Sequence, residues 1–258
     1  MDFAKIEDFV KKSYGIDLRA YKSKQLYRRV ENFMQRVGAK SESEFISILM
    51  KDEKISKKFQ DHLTINVSEF FRNKDMFMQL EKEIKARLHP EKNTLKIWSA
   101  ACSYGAEPYT LAIIMDNITK GKKHNILATD IDLNILKKAK DGIYLKNDLK
   151  NVDTNILDKY FIKKDENYII KDEIKNRVTF KKHDLILDRY DKGFDLIVCR
   201  NVVIYFTQEA KKEIYEKFFE SLNPGGLLFV GATESIYNYR EIGFEKAATF
   251  IYKKPGGN

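Results

Sequence analysis

From about residue 94 onward, short apolar runs alternate with amphipathic segments, and this alternation restricts the chain more than any other feature. The runs are LKIWSA (95–100), NILATD (125–130), VTFKKHD (178–184), FDLIVCR (194–200) and GLLFVGA (226–232), and helices fit 107–119, 133–141 and 208–222 between them. Runs that are apolar almost throughout suit strands covered on both faces. Alternating with helices, they predict an α/β fold built on a mostly parallel sheet. The last pieces, FEKA and TFIYKK, read as a closing hairpin at the sheet edge. Residues 143–183 break the rhythm. There YFIKKDENYIIKDEIKNRVTF carries two or three short strands and a turn at Asp165–Asn167, too much for a plain loop, and predicts a small inserted β-subdomain at about 155–182.

Residues 1–62 read differently. Apolar residues recur at helical spacing in Phe3, Ile6, Phe9 and Val10, then in Leu26, Val30, Phe33, Met34 and Val37 before Gly38. A third run, Phe45, Ile46, Ile48 and Leu49, is entered through Ser41 and Ser43. The expected organisation is a helical domain over 1–62, a linker and connecting helix over 63–93, and the α/β domain over 94–258. A chain of 258 residues with 43% apolar and 33% charged residues can bury a core of ordinary size. No apolar run is long enough for a membrane span, and MDFAKIEDFVKKSYG lacks the apolar stretch of a secretion signal. Cys102 and Cys199, far apart and in apolar surroundings, read as reduced core thiols of a cytoplasmic protein. The net charge of +9 favours an acidic partner, although lysine is scattered over the whole chain.

In a doubly wound sheet, ligands sit beyond the carboxyl ends of the strands. The first strand here runs into a loop with one glycine, Gly105, followed by Ala106, Glu107 and Pro108. A dinucleotide fingerprint needs three glycines so that a pyrophosphate can lie on bare backbone at a helix start. Two are missing, and Glu107 would face an anionic ligand, so NAD and ATP are disfavoured. S-adenosylmethionine, a cation without phosphates, suits the place. An acidic residue about 20 positions on commonly takes ribose hydroxyls. Asp130 fits that role, with Asp132 an open alternative; either could instead cap the helix at 133–141. Asp184 and Leu185 could flank an adenine. Arg200 and Asn201 fall at the end of the fourth strand, where Arg200 could equally be a surface ion pair. Tyr205 and Phe206 could equally be core. His62, His89, His124 and His183 are isolated, and no spacing suits zinc.

The stretches LTINVSEFFR, WSAACSYGAEPYTLAI, ATDID, CRNVVIYF and LNPGGLLFVGATES occur in this order over nearly the whole chain, and together they resemble the chemotaxis receptor glutamate methyltransferase (CheR-type) family. The resemblance implies a helical N-terminal domain, a Rossmann-like S-adenosylmethionine-dependent methyltransferase domain and a β-subdomain inserted in it. Carried over by motif, cofactor contacts fall on Asn66, Ser68, Arg72, Glu107, Asp130, Asp184, Leu185, Arg200 and Asn201. Ser68 stands where the family often has Thr. GAEP stands where it often has GEEP, so an acid that binds at position 106 would be lost.

The reaction so implied gives glutamate γ-methyl esters and S-adenosylhomocysteine, with methyl-accepting chemotaxis receptors as partners. A glutamate of pKa about 4.3 is already anionic at pH 7, so no general base and no metal is required. Positioning and exclusion of water remain, with Arg72, Arg200 and Tyr205 cast as orienting catalytic groups. Residues 19–36 carry six positive side chains and one negative, Glu31; Arg19, Lys22, Arg28, Arg29 and Arg36 are the expected contacts to an acidic helical bundle. Some family members clamp a receptor tether peptide on the β-subdomain by strand addition, and the short insertion here suggests a tether-independent enzyme. A monomer without nucleic-acid partners or membrane insertion is expected. The competing readings are a methyltransferase of nucleic acid or of a small molecule, and an inactive cofactor-binding regulator.

Overall fold

The structure, a computed structural model, describes residues 3–64, 66–88 and 94–256. Two compact units divide the chain: residues 1–65 together with Tyr205–Lys212, and residues 66–204 together with Glu213–Asn258. The first unit holds helices α1 (Ala4–Tyr14), α2 (Ser23–Arg36), α3 (Glu42–Lys51) and α4 (Glu53–Leu63), the fourth unmarked in the sequence pattern. Ser41 caps α3 by accepting from Glu44 N, and Asp52 caps α4 by accepting from Ile55 N. Their apolar stripes meet in an aromatic cluster in which Phe33, Phe45 and Phe59 pack ring against ring. Residues 205–212 join this unit through backbone bonds from Lys22 N to Tyr205 O and from Thr207 N to Ala20 O.

The second unit opens with a linker and helix α5 (Lys74–Glu83), then strand β1 (Lys96–Ala100), helix α6 (Ala106–Ile118), β2 (Asn125–Asp130) and α7 (Leu133–Asp141). After these come β3 (Ile143–Leu145), α8 (Thr154–Tyr160), β4 (Phe161–Lys164), β5 (Asn167–Ile170), α9 (Asp172–Lys175) and β6 (Val178–Lys182). It closes with β7 (Phe194–Cys199), α10 (Gln208–Ser221, its residues up to Lys212 counted with the first unit), β8 (Leu222–Val230), α11 (Tyr239–Ile242), β9 (Glu245–Ala248) and β10 (Ile251–Lys253). The seven-stranded sheet has the order β6-β2-β1-β7-β8-β10-β9, parallel up to β8, with β10 and β9 antiparallel at the edge. The fold is therefore the α/β architecture the alternation predicts. The chain leaves β1 to one side for β2 and returns to the other for β7, so the switch point lies between β1 and β7.

The small sheet has the order β3-β5-β4, all antiparallel. It differs from the expected 155–182 span at both ends: its first strand comes earlier, and Val178–Lys182 pairs with β2 in the large sheet. Sequence periodicity missed this because β3 is three residues long. Tyr144, Phe161 and Ile170 point inward and join one core with Leu111, Ile113 and Met115 of α6. The first ten residues of α6 are therefore all buried, as a helix walled in on every side must be.

Candidate functional site

The carboxyl ends of the strands carry a cluster of strained backbone and buried charge. In the loop after β1, Ala101, Ser103 and Gly105 all take positive φ, at 58°, 51° and 90°. A non-glycine residue held there costs of order 1 kcal/mol, and such strain concentrates at functional sites. Gly105 is required twice over, since a Cβ would also stand 3.0 Å from the Ala139 Cβ and 3.2 Å from the Tyr144 hydroxyl. Ser103 N donates to Asp130 Oδ2 at 2.8 Å, tying this loop to the end of β2. Ser103 Oγ is buried without a hydrogen-bond partner in the structure.

Asp130 and Asp132 make different bonds. Asp132 caps α7, its Oδ1 accepting from Asn134 N and Ile135 N, and its Oδ2 accepts from Asn66 Nδ2 at 3.0 Å. Asp130 is buried in the strand end, and burial pushes its carboxyl up to about 6. His183 N donates to Asp130 O, tying the 183–190 loop to the end of β2. Asp184 Oδ1 accepts from Ile186 N and Leu187 N, and Tyr190 donates to Leu185 O at 2.8 Å. The 183–190 loop is thus held by its own polar groups, with Asp184 also raised by burial.

Glu107 and Arg200 are nearly as deep, 9% and 6% exposed. Glu107 Oε1 accepts from Ser99 Oγ at 2.8 Å, and its Oε2 lies 3.6 Å from Arg200 Nη1. The Arg200 guanidinium lies 4.9 Å from both the Phe77 and Phe229 rings, and its Nη2 donates to Arg72 O at 2.8 Å and to Asn73 Oδ1 at 3.0 Å. The surface ion pair left open for Arg200 is thereby replaced by a buried one. Burial raises the Glu107 carboxyl and lowers Arg200, while each partner counteracts the shift of the other. Ala106 packs in the core, leaving Glu107 as the acid of that turn.

The linker is fastened to these strand ends. Besides the Asn66–Asp132 and Arg72–Arg200 bonds, Tyr104 Oη donates to Ser68 O, and Phe71 N donates to Thr110 Oγ1 at 3.1 Å. Phe71 and Asn73 themselves take positive φ. Asn66, Ser68, Arg72, Glu107, Asp130, Asp184, Leu185, Arg200 and Asn201 therefore belong to one bonded neighbourhood of the second unit. Tyr205 belongs to the first unit, and Phe206 is core there, its ring 4.8 Å from Tyr21.

Residues 66–251 match the family model described as CheR methyltransferase, SAM binding domain, and residues 1–64 match CheR methyltransferase, all-alpha domain. The chain belongs to the CheR methyltransferase family. It is 41% identical over 254 residues to the chemotaxis protein methyltransferase of Listeria innocua serovar 6a, covering 98% of this chain and 97% of that protein. The protein of the same name from Escherichia coli K12 is 30% identical, at 97% and 89% coverage. The solved glycopeptide N-methyltransferase MtfA with S-adenosylmethionine overlaps 59% of this chain and 48% of its own at 13% identity and TM-score 0.38, too remote to bear on the site.

Family membership makes the chain an S-adenosylmethionine-dependent methyltransferase, and the strand ends fit that cofactor. The orphaned Ser103 hydroxyl, the tight turn at Gly105 and three buried carboxylates suit a cation bearing hydroxyl and amino groups. Among the described residues no group of three or more His, Cys, Asp and Glu could hold a metal ion, and no helix is long and apolar enough to cross a membrane. Both cysteines are free and buried, and burial raises their thiols. His124 is a structural residue: its Nδ1 accepts from Leu95 N and its Nε2 meets Thr119 Oγ1. His183 packs on Trp98 and Tyr190, and His62 bonds to Arg29 O. His89 lies outside the described residues.

Sequence reasoning missed Ser99, Ser103, Phe77, Phe229 and Glu234. Four of these act through packing or a single buried bond and leave no pattern. Glu234 sits in GATES, where an acid so soon after a buried strand is the one available signal.

Proposed function

We propose that this enzyme methylates glutamate side chains of chemoreceptors, giving γ-methyl esters, and that it does so as a cytoplasmic monomer with no nucleic-acid partner and no membrane insertion. The observation that carries the reading is the fastening of the linker to the strand ends, Asn66 to Asp132 and the Arg72 carbonyl to Arg200. These bonds bring the motif residues into one wall around the switch point.

When bound, S-adenosylmethionine supplies a methyl group activated by a sulfonium. Asp130 is assigned to the ribose hydroxyls, its carboxylate held at the strand end by the Ser103 and Asp132 amides. Asp184 Oδ2 and Leu185 are assigned to the adenine, with Asn66, Ser68, Glu107 and Asn201 completing the cradle. Arg200 positions the linker through Glu107, Arg72 and Asn73, and its buried Nε, without a partner among the described residues, is the donor left for the cofactor side. Arg72, whose Nη1 makes a long 3.3 Å bond to Val67 O, is the cation assigned to orient the substrate carboxylate. Tyr205 keeps the orienting role that the family motif carries over to it. Neither need remove a proton, because the substrate carboxylate is ionised at neutral pH.

Docking is assigned to α2, with a change in its cast. Arg19 is held by Asp17 through two bonds of 2.9 Å. Arg29 is half-buried, donates to His62 O and is lowered by burial. Lys22, Arg28 and Arg36 are exposed and remain as the contacts to an acidic helical bundle. The test is methyl transfer from labelled S-adenosylmethionine to receptor-containing membranes. Base-labile label on the receptor is the expected result; label on nucleic acid, or none, would overturn the reading.

A further inference from the structure

Asn201 follows the end of β7 in a left-handed conformation, φ 61°, a strained arrangement for a residue with a side chain. A carboxylate from a distant loop holds it. Glu234 is 4% exposed. Its Oε2 accepts from Asn201 N at 2.6 Å and from Gly231 N at 2.9 Å, and its Oε1 from Ile204 N at 3.3 Å. Among the described residues Glu234 has no ion pair; backbone N–H groups bond its oxygens, and the Arg200 charge acts on it at longer range. Burial raises its carboxyl and those N–H groups lower it again. A buried carboxylate so placed is costly unless its geometry is kept. Gly231 keeps it, since a side chain there would run into the Glu234 carboxylate and come within 3.0 Å of Asn201 N.

We propose that Glu234 is a positioning residue for methyl transfer: by gripping both ends of the 201–204 turn from beneath, it sets Asn201 for cofactor binding without touching the cofactor. The inference rests on the assignment of Asn201 as a cofactor contact. Glu234→Gln keeps the shape but turns one acceptor into a donor facing an N–H. S-adenosylhomocysteine binding, measured by calorimetry on the full chain, should weaken by about tenfold, with KM for S-adenosylmethionine rising more than kcat falls. Gly231→Ala, which displaces the same carboxylate, should do likewise. Adding Glu234→Gln to Asn201→Ala should weaken binding by no more than about twofold beyond Asn201→Ala alone, because both act at one turn.

Wild-type affinity in a cooperatively folding Glu234→Gln, or full additivity with Asn201→Ala, overturns the proposal. So does loss of cooperative unfolding in both Glu234→Gln and Gly231→Ala, which would make the group a folding residue. Asn201→Ala at wild-type affinity overturns the assignment of Asn201, and the proposal with it. A weak Asn201→Ala beside a wild-type Glu234→Gln overturns the proposal alone.

Discussion

Asp130 and Asp132 stand two residues apart at the end of one strand, and the sequence leaves open which of them binds and which caps. Hydrogen bonds decide the cap: Asp132 accepts from the first amides of α7, while Asp130 accepts from Ser103 N and is left as the candidate for the ribose. The buried Asp130 has a consequence in pH. Folding raises its carboxyl to about 6, so the folded protein holds a proton that the unfolded chain gives up. Its contribution to stability is present at low pH and lost as pH rises through about 6. Cofactor affinity should run the other way, since a protonated Asp130 loses acceptor capacity for ribose hydroxyls. Calorimetric titration with S-adenosylhomocysteine should show affinity falling as pH drops from 7 to 5; a flat profile would remove Asp130 from the ribose. Arg200 was equally ambiguous in the sequence. An arginine at a strand end reads as exposed, whereas the Phe77 and Phe229 rings, from distant segments, help to bury it. Arg200→Met should cost about 3 kcal/mol or more, because Glu107 is left charged and unpaired in the interior. Adding Glu107→Gln should then restore part of the loss. Equal urea midpoints for the single and double variants would show that the pair is not what holds these groups in place.

At the scale of elements, strands and helices with long, even patterns were legible: 133–141 is helical over those residues, and β2 spans 125–130 as read. The small sheet was blurred because three- and four-residue strands carry too little periodicity to bound. Helix α2 shows the other limit. A helical wheel places Arg29 with Lys22 and Arg36, yet the wheel cannot know that α4 packs on that side and takes the Arg29 guanidinium at His62 O. Charge reversals should therefore separate. Lys22→Glu with Arg28→Glu should cut receptor methylation at low salt, leave the thermal midpoint near wild type, and lose its effect as salt rises. Arg29→Glu should instead lower the midpoint, by burying an unpaired anion against α4. Unchanged methylation in the exposed double variant would remove α2 from the docking surface.

Across the whole molecule, the question is how an enzyme of this family finds its receptor when the β-subdomain is small. The hairpin between β4 and β5 turns through Asp165 and Glu166 alone, with Asp165 at φ 54°, so no loop projects beyond the sheet to enclose a peptide. Strand addition would have only the edges of β3 and β4, three and four residues long, to pair with. About one main-chain hydrogen bond per residue over so short an edge, each contributing on the order of 1 kcal/mol net, is a weak hold against the entropy of ordering a flexible tail. Basic side chains on α2 offer a longer-range attraction to an acidic bundle that needs no tail. Removing the C-terminal residues of a receptor beyond its helical bundle should therefore leave the initial rate of methylation unchanged at limiting receptor. A severalfold fall in that rate, with kcat at saturating receptor intact, would mean that the tail is held after all and that the small sheet holds it.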